Sequence, residues 1–321
     1  MEKVLVIGPF NESMKKALAD AFDDRFSLEY ITSREEYDRI ADADYIILRT
    51  LNLNAEDIAA MNKVKLIQRW GVGFDSVDIQ AAGEKNIPVA VTFGINSTPV
   101  AEMAMALTLA VYRNLVPMTT GIQEGKWERE VYSKTSYTIN GKTVGIIGIG
   151  NIGRKVAALF QAFGATVLYY DLFRLSPERE EELGLTYYDL DEIWDKCDIV
   201  SLHAPATPET THMVNAQSLA RMKDGAVLIN TAREELIDMD ALVQAVKNGK
   251  LLGVGLDAVE EETMSKQPFR GMDNVVLAAH LGGNTADNSV HMAKRCAEQV
   301  AAISEGKTLS APHLVNGQYL K

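Results

Sequence analysis

Cysteine is scarce. Cys197 and Cys296 are the only two in 321 residues. Two isolated thiols exclude a disulfide-stapled scaffold and give no Cys/His metal spacing, so reduced thiols in a cytoplasmic compartment and no metal site are expected. Positive charge is also in deficit: 32 Lys and Arg against 44 Asp and Glu leave a formal net charge of −12. That balance argues against nucleic acid and anionic membrane as partners. No apolar run approaches the ~20 residues that a membrane-spanning helix requires. The opening MEKVLVIGPF starts a strand-like run and carries no signal-peptide pattern. Low-complexity tracts and short-period repeats are missing. What remains is a chain long enough to bury a sizeable core, with two domains expected.

The most informative stretch is Val144 to Asp171, VGIIGIGNIGRKVAALFQAFGATVLYYD. A short apolar run, Val144 to Ile147, is followed by glycines at 148, 150 and 153. A helical pattern follows, with Ile152, Val156, Leu159 and Phe160 on one face. A second apolar run, Thr166 to Tyr170, ends at Asp171, 18 residues after Gly153. Strand, glycine turn, helix, strand and acid in this order form a dinucleotide grip. Gly148 allows the tight turn, Gly150 lets a pyrophosphate approach the backbone, and Gly153 lets helix and strand pack closely. The N–H groups at the helix start, near Asn151 and Ile152, attract phosphate charge. Asp171 can accept both ribose hydroxyls and repels a 2′-phosphate, so the expected cofactor is NAD. Arg174 reads as a solvated loop residue. Gly141-Lys142-Thr143 is not a phosphate-binding P-loop, because Ser136 stands where the motif needs its first glycine.

Residues 3 to 91 alternate strand-like runs (Val4–Ile7, Tyr45–Leu48, Val64–Ile67, Pro88–Val91) with helical patterns. This first region has the build of a nucleotide domain without its glycine spacing, so no nucleotide is expected there. Thr98 as N-cap and Pro99 at the first helical position start a long helix to about Arg113. A second alternating run extends from Lys142 to about Ala278. The last helical pattern, about Ala286 to Ser304, crosses back to the first domain. The expected fold is therefore α/β, with two Rossmann-like domains of doubly wound parallel sheets. A discontinuous substrate domain, 1–98 plus 287–321, would enclose an inserted NAD-binding domain, 99–286.

Hydride transfer between NAD and an alcohol or ketone needs an acid/base and a cation that holds substrate and polarises its carbonyl. Arg233 follows the strand Ala226–Ile229 and can bind a carboxylate in bidentate fashion; the bland alternative is a surface ion pair with Glu234 or Glu235. His280 follows Val275–Leu277 and precedes Gly282-Gly283, a position suited to acid/base work. The alternative is a structural histidine, the reading given to His212, His291 and His313. The run Glu260–Glu262 reads alone as a solvated acidic loop.

These residues, with Arg69–Asp75, Asn96–Glu102, Ser201–Pro205, Thr207–Thr210, Asn230–Arg233 and His280–Gly283, resemble the D-isomer-specific 2-hydroxyacid dehydrogenases over nearly the whole chain. The resemblance implies an NAD-dependent enzyme, usually a homodimer, acting on a small anionic 2-hydroxyacid or 2-ketoacid. Phosphoglycerate, glyoxylate and hydroxypyruvate are the candidate substrates. It implies Arg233, Glu262 and His280 as catalytic residues, with Glu262 hydrogen-bonded to His280. It lines the cofactor with His203, Ala204, Pro205, Thr231, Ala232 and Asp257, the last meeting the nicotinamide amide. The substrate would meet the loop Trp70-Gly71-Val72-Gly73; a phosphorylated one would want further cations, for which Arg49 and Arg69 are the candidates, with a structural role the alternative for each.

The sequence departs from the family pattern at Glu234, usually glycine, and at Thr263, usually proline. Val259 replaces an aromatic residue, and Trp70 replaces a small one. Glu234 is placed to pair with Arg233, and Trp70 to fill part of the pocket or stack over a substrate. Two other functions compete. One is an NAD-sensing, dehydrogenase-like corepressor. The other is a formate dehydrogenase, disfavoured because that family lacks the histidine's glutamate partner. No regulatory domain is expected after the last helix.

Overall fold

Short strands rich in Val, Ile and Leu alternate with helices, so the strands can only pair in parallel through crossovers. In the computed structural model, which describes residues 1–321, the chain divides into two compact units. One is Met1–Asn96 with Gly283–Lys321; the other is Ser97–Gly282.

The first unit holds β1 (Glu2–Ile7), β2 (Phe26–Ile31), β3 (Tyr45–Leu48), β4 (Leu66–Arg69) and β5 (Val89–Ala90). They form one parallel sheet in the order β2-β1-β3-β4-β5. Strand β2 leaves no clear apolar run in the sequence. It is an edge strand whose four inner residues are only half-buried, so Ser27 and Glu29 dilute its apolar signal. The expected run at Val64 begins two residues later, at Leu66. The helix Glu12–Ala21 starts where Asn11 accepts the Met14 N–H at 2.9 Å. Both sheet faces are covered: Leu5, Ile7, Ile46 and Leu48 fill one core, Val4, Val6, Tyr45 and Ile47 the other. The helix Asn288–Ser304 closes the second core through Met292, Ala293, Cys296 and Val300. The tail is tied to the short strand β5, where buried Asn316 accepts the Val89 N–H and donates to Ile87 O.

The second unit holds β6 (Thr143–Ile147), β7 (Thr166–Tyr170), β8 (Thr186–Tyr187), β9 (Ile199–Leu202), β10 (Ala226–Asn230), β11 (Leu251–Leu256) and β12 (Val275–Leu277). All pair in parallel, in the order β12-β11-β10-β9-β6-β7-β8. The long helix runs Ser97–Tyr112, so Ser97 and Thr98 already lie inside it and Thr98 is not its cap. Glycines in β11 let this helix close on the sheet. A Cβ at Gly253 would meet Val111 at 2.6 Å, and one at Gly255 would meet Leu107 at 2.8 Å.

The register carries the functional consequence. Ile147 pairs with Tyr170 and Leu202, Asn230 with Leu202 and Leu256, and Leu256 with Leu277. The carboxyl ends of six strands therefore form one row. Gly148, Asp171, His203, Thr231 and Asp257 are the next residues out of that row. Neighbouring strands β6 and β9 leave in opposite directions along the sheet order, which marks the crevice where open α/β sheets bind ligands.

Candidate active site

At the crevice, the glycine turn behaves as its spacing predicts. Gly148 has φ +93, and a Cβ there would strike the His203–Ala204 backbone at 2.6 Å. A Cβ on Gly153 would lie 2.0 Å from Gly148 O, so the helix Asn151–Ala162 can approach the turn only without one. Around Gly150 a Cβ meets nothing within 4 Å. The helix has no side-chain cap, leaving its first N–H groups for a ligand.

Asp171 leaves β7 beside this turn. Its carboxylate accepts the Ile149 N–H at 2.7 Å and the Phe173 N–H at 2.9 Å. Arg174 is an exposed loop residue, as expected. It pairs with Glu180 at 2.8 Å and lies over the Tyr187 ring at 4.9 Å. Arg174 and Tyr169 together hold the Glu180 carboxyl at about 2.

His203 follows β9, its ring 2.8 Å from Ser201 Oγ. Burial pushes this histidine down to about 3, so it stays neutral. The loop beyond is shaped by buried Thr210, which donates to Pro205 O at 2.7 Å and accepts from the Thr207 N–H at 2.8 Å. Buried Asn230 shapes the next loop. It accepts the Ala232 N–H at 2.9 Å and donates to Arg233 O at 2.8 Å, which fixes the backbone that carries Arg233. Neither residue had a role in the sequence reading. An asparagine bonding to the backbone two residues on is a local signal that could have found Asn230.

Glu234 is committed elsewhere than expected. Its carboxylate accepts the Glu260 N–H at 2.7 Å and the Thr263 hydroxyl, so it anchors the 260–263 segment. Asp257 anchors a turn. It is 2 % exposed, and its two oxygens accept the N–H groups of Leu281 and Gly282 at 2.8 and 2.9 Å. His280 has φ +53, its N–H bonded to Asp257 O at 2.8 Å. Asp257 thus clamps the turn that bears His280, in a left-handed conformation that costs free energy outside glycine.

The expected partner of His280 is corrected. Glu262 lies inside the short helix Glu261–Ser265, its side chain 90 % exposed and 3.9 Å from Lys266. The carboxylate facing His280 Nδ1 is that of Glu260, at 3.9 Å.

In the first unit, Arg69 donates to Gly73 O at 2.8 Å and Leu48 O at 3.1 Å, shaping the loop 70–73. Arg49 donates to Pro9 O and lies over the Phe10 ring at 6.0 Å. Burial pulls its guanidinium below the usual arginine range. Trp70 is 5 % exposed in the core of the first unit, its ring edge-on to Phe10 at 5.1 Å. Truncating a buried tryptophan costs about 3–5 kcal/mol. Trp70→Ala should lose that much in urea unfolding; a loss below ~1 kcal/mol contradicts the core placement.

Comparison with known proteins gives a family. Residues 105–282 match the model of the D-isomer specific 2-hydroxyacid dehydrogenase, NAD binding domain. The chain belongs to the D-isomer specific 2-hydroxyacid dehydrogenases. It is 36% identical over 289 residues to the hydroxypyruvate reductase of Thermotoga maritima, covering 89% of this chain and 92% of that one. It is 34% identical over 318 residues to the D-3-phosphoglycerate dehydrogenase of Methanocaldococcus jannaschii, covering 98% of this chain and 60% of that one. Among solved structures, a Granulicella formate dehydrogenase superposes with a TM-score of 0.89 at 28% identity, covering 98% and 97% of the two chains.

As a 2-hydroxyacid dehydrogenase the chain is an NAD-dependent oxidoreductase, and its second unit fits the cofactor. Thr231 Oγ1 and His203 Nδ1 are buried without a partner on the row of strand ends. The open backbone at Gly150 suits a pyrophosphate, and the Asp171 carboxylate stands beside it. Bound NAD(H) supplies or accepts the hydride; the protein must hold it, fix the substrate and move one proton.

Proposed function

We propose that this dehydrogenase reduces a short unphosphorylated 2-ketoacid of the glyoxylate or hydroxypyruvate type with NADH. The observation that carries the reading is the row of strand ends, from which the glycine turn, Arg233 and His280 all emerge. Arg233 binds the substrate carboxylate and draws charge onto the reacting carbonyl oxygen. His280 donates a proton to that oxygen as hydride reaches the carbon, and takes it back in oxidation. A phosphorylated substrate needs further cations, and the two candidates are engaged: Arg49 by Pro9 O, Arg69 by Gly73 O and Leu48 O. That engagement favours the unphosphorylated acids. The test ranks kcat/KM for glyoxylate, hydroxypyruvate, pyruvate and phosphohydroxypyruvate by NADH absorbance. Phosphohydroxypyruvate should rank below hydroxypyruvate; the reverse order overturns the substrate assignment.

Asn151, Ile152 and Gly153 hold the pyrophosphate, and Asp171 the adenosine ribose. The backbones of Ala204, Pro205 and Ala232, with His203 and Thr231, line the nicotinamide half. Asp171→Ala should narrow the preference for NAD over NADP. It should also weaken NAD itself, because Ile149 loses its acceptor. Equal or tighter NADP binding by the native protein contradicts this role.

The enzyme acts as a homodimer in the cytoplasm, without nucleic-acid partners. Leu115, Val116, Ile122, Trp127 and Val131 form an exposed apolar face on the helices Leu115–Gln123 and Arg129–Thr135, suited to a second copy. Both cysteines are buried thiols, in keeping with a reducing compartment. Light scattering should give twice the chain mass, and Trp127→Glu should lower it; a monomeric native protein contradicts the dimer.

A further inference from the structure

We propose that Glu180 helps set the cofactor preference of this chain, by holding Arg174 away from the ribose end of the dinucleotide. The inference rests on the placement of Asp171 at the adenosine ribose and deepens it. A cofactor with a 2′-phosphate differs from NAD by an anion at one ribose hydroxyl. A site can refuse that anion in two ways: by setting a carboxylate against it, and by keeping cations from it.

Asp171 serves the first. The second needs a device, because Arg174 stands only three residues on, a span of at most ~11 Å. The chain folds the segment tighter than that. Asp171 accepts the Phe173 N–H at 2.9 Å, which bends the backbone at the strand end. The Leu175 N–H then donates to Tyr169 Oη at 3.0 Å, which brings the segment back to β7. An arginine just past the acid of the second strand is the residue type that accommodates a 2′-phosphate.

Here that guanidinium is occupied. Its Nε and Nη2 donate to the two oxygens of Glu180 at 2.8 and 3.0 Å, a bidentate pair. Its carbon lies 4.9 Å from the centre of the Tyr187 ring. A lone exposed ion pair contributes little. This one has a fixed seat. Glu180 belongs to the helix Pro177–Leu183, and its side chain is only 12 % exposed. The hydroxyl of fully buried Tyr169 donates to the same carboxylate at 2.6 Å. Tyr169 also packs edge-on against Tyr187 at 5.5 Å, so acceptor, ring and strand form one unit. An arginine that swings out to a phosphate strips a half-buried carboxylate of its cation.

Fluorescence titrations with NADH and NADPH test this and require no substrate. Glu180→Gln removes the charge and keeps a partner for Tyr169. It should tighten NADPH by about tenfold, the scale of one hydrogen bond to a charged group, and leave NADH within about twofold. Glu180→Ala, which removes the acceptor as well, should gain at least as much, and its unchanged NADH affinity shows that the fold holds. The gain should vanish when Arg174→Ala is added to Glu180→Gln, and Arg174→Ala alone should leave NADPH binding as it is. In an Asp171→Ala background, Glu180→Gln should give a gain of similar size, because repulsion and capture act through separate groups. NADPH affinity in Glu180→Gln within about twofold of native, or a gain that survives Arg174→Ala, overturns the proposal. A native protein that binds NADPH as tightly as NADH refutes the reading of Asp171 instead, and the comparison of Glu180→Gln with and without Arg174 still decides this one.

Discussion

Replacing His280 by alanine should lower kcat by ~10²-fold or more while NADH still binds with native affinity. The magnitude is that of losing one positioned general acid/base. Affinity survives because the glycine turn, Asp171 and the Thr231 loop stand on other strands of the same sheet. His280 also occupies a left-handed turn whose N–H groups are taken by Asp257. Glycine there relieves strain, so His280→Gly should inactivate yet not destabilise, whereas Asp257→Ala should do both. Turnover in His280→Ala within about twofold of native would remove the residue from the chemistry.

The second large effect is expected at Arg233. Lysine preserves the charge and loses the planar fork. Arg233→Lys should raise KM and lower kcat together, because the contact strengthens as negative charge grows on the reacting oxygen. The expected loss in kcat/KM is ~2–4 kcal/mol, the scale of one preorganised charge-stabilising contact. Arg233 starts from a fixed backbone, since Asn230 holds its carbonyl at 2.8 Å and its own guanidinium reaches Ala232 O at 2.7 Å. If both constants change by less than about twofold, below ~0.5 kcal/mol, the substrate anion is held elsewhere.

What the sequence made legible was local or periodic. The turn Gly148–Gly153 and Asp171 lie within one βαβ stretch, and each residue type there answers to a steric demand that the structure repeats: φ +93 at Gly148, no room for a Cβ at Gly153. Apolar runs buried on both faces, such as Tyr45–Leu48 and Ile199–Leu202, announce themselves as central parallel strands. The edge strand β2 does not, because one side of it stays wet.

What the sequence did not make legible was tertiary. Trp70 sits beside a binding-type loop in sequence, but its direction is decided by Phe10, sixty residues earlier, against which it packs. Motif spacing points to Glu262, and the helix register turns it outward. Each of these depends on a tertiary partner that neither spacing nor composition encodes.

The most direct test of the central claim is the configuration of the product. Hydroxypyruvate reduced with NADH by the purified chain should yield the D-2-hydroxyacid, resolved by chiral chromatography, with one NADH consumed per product formed. An L product, or no NADH consumption with any short 2-ketoacid, would contradict the account.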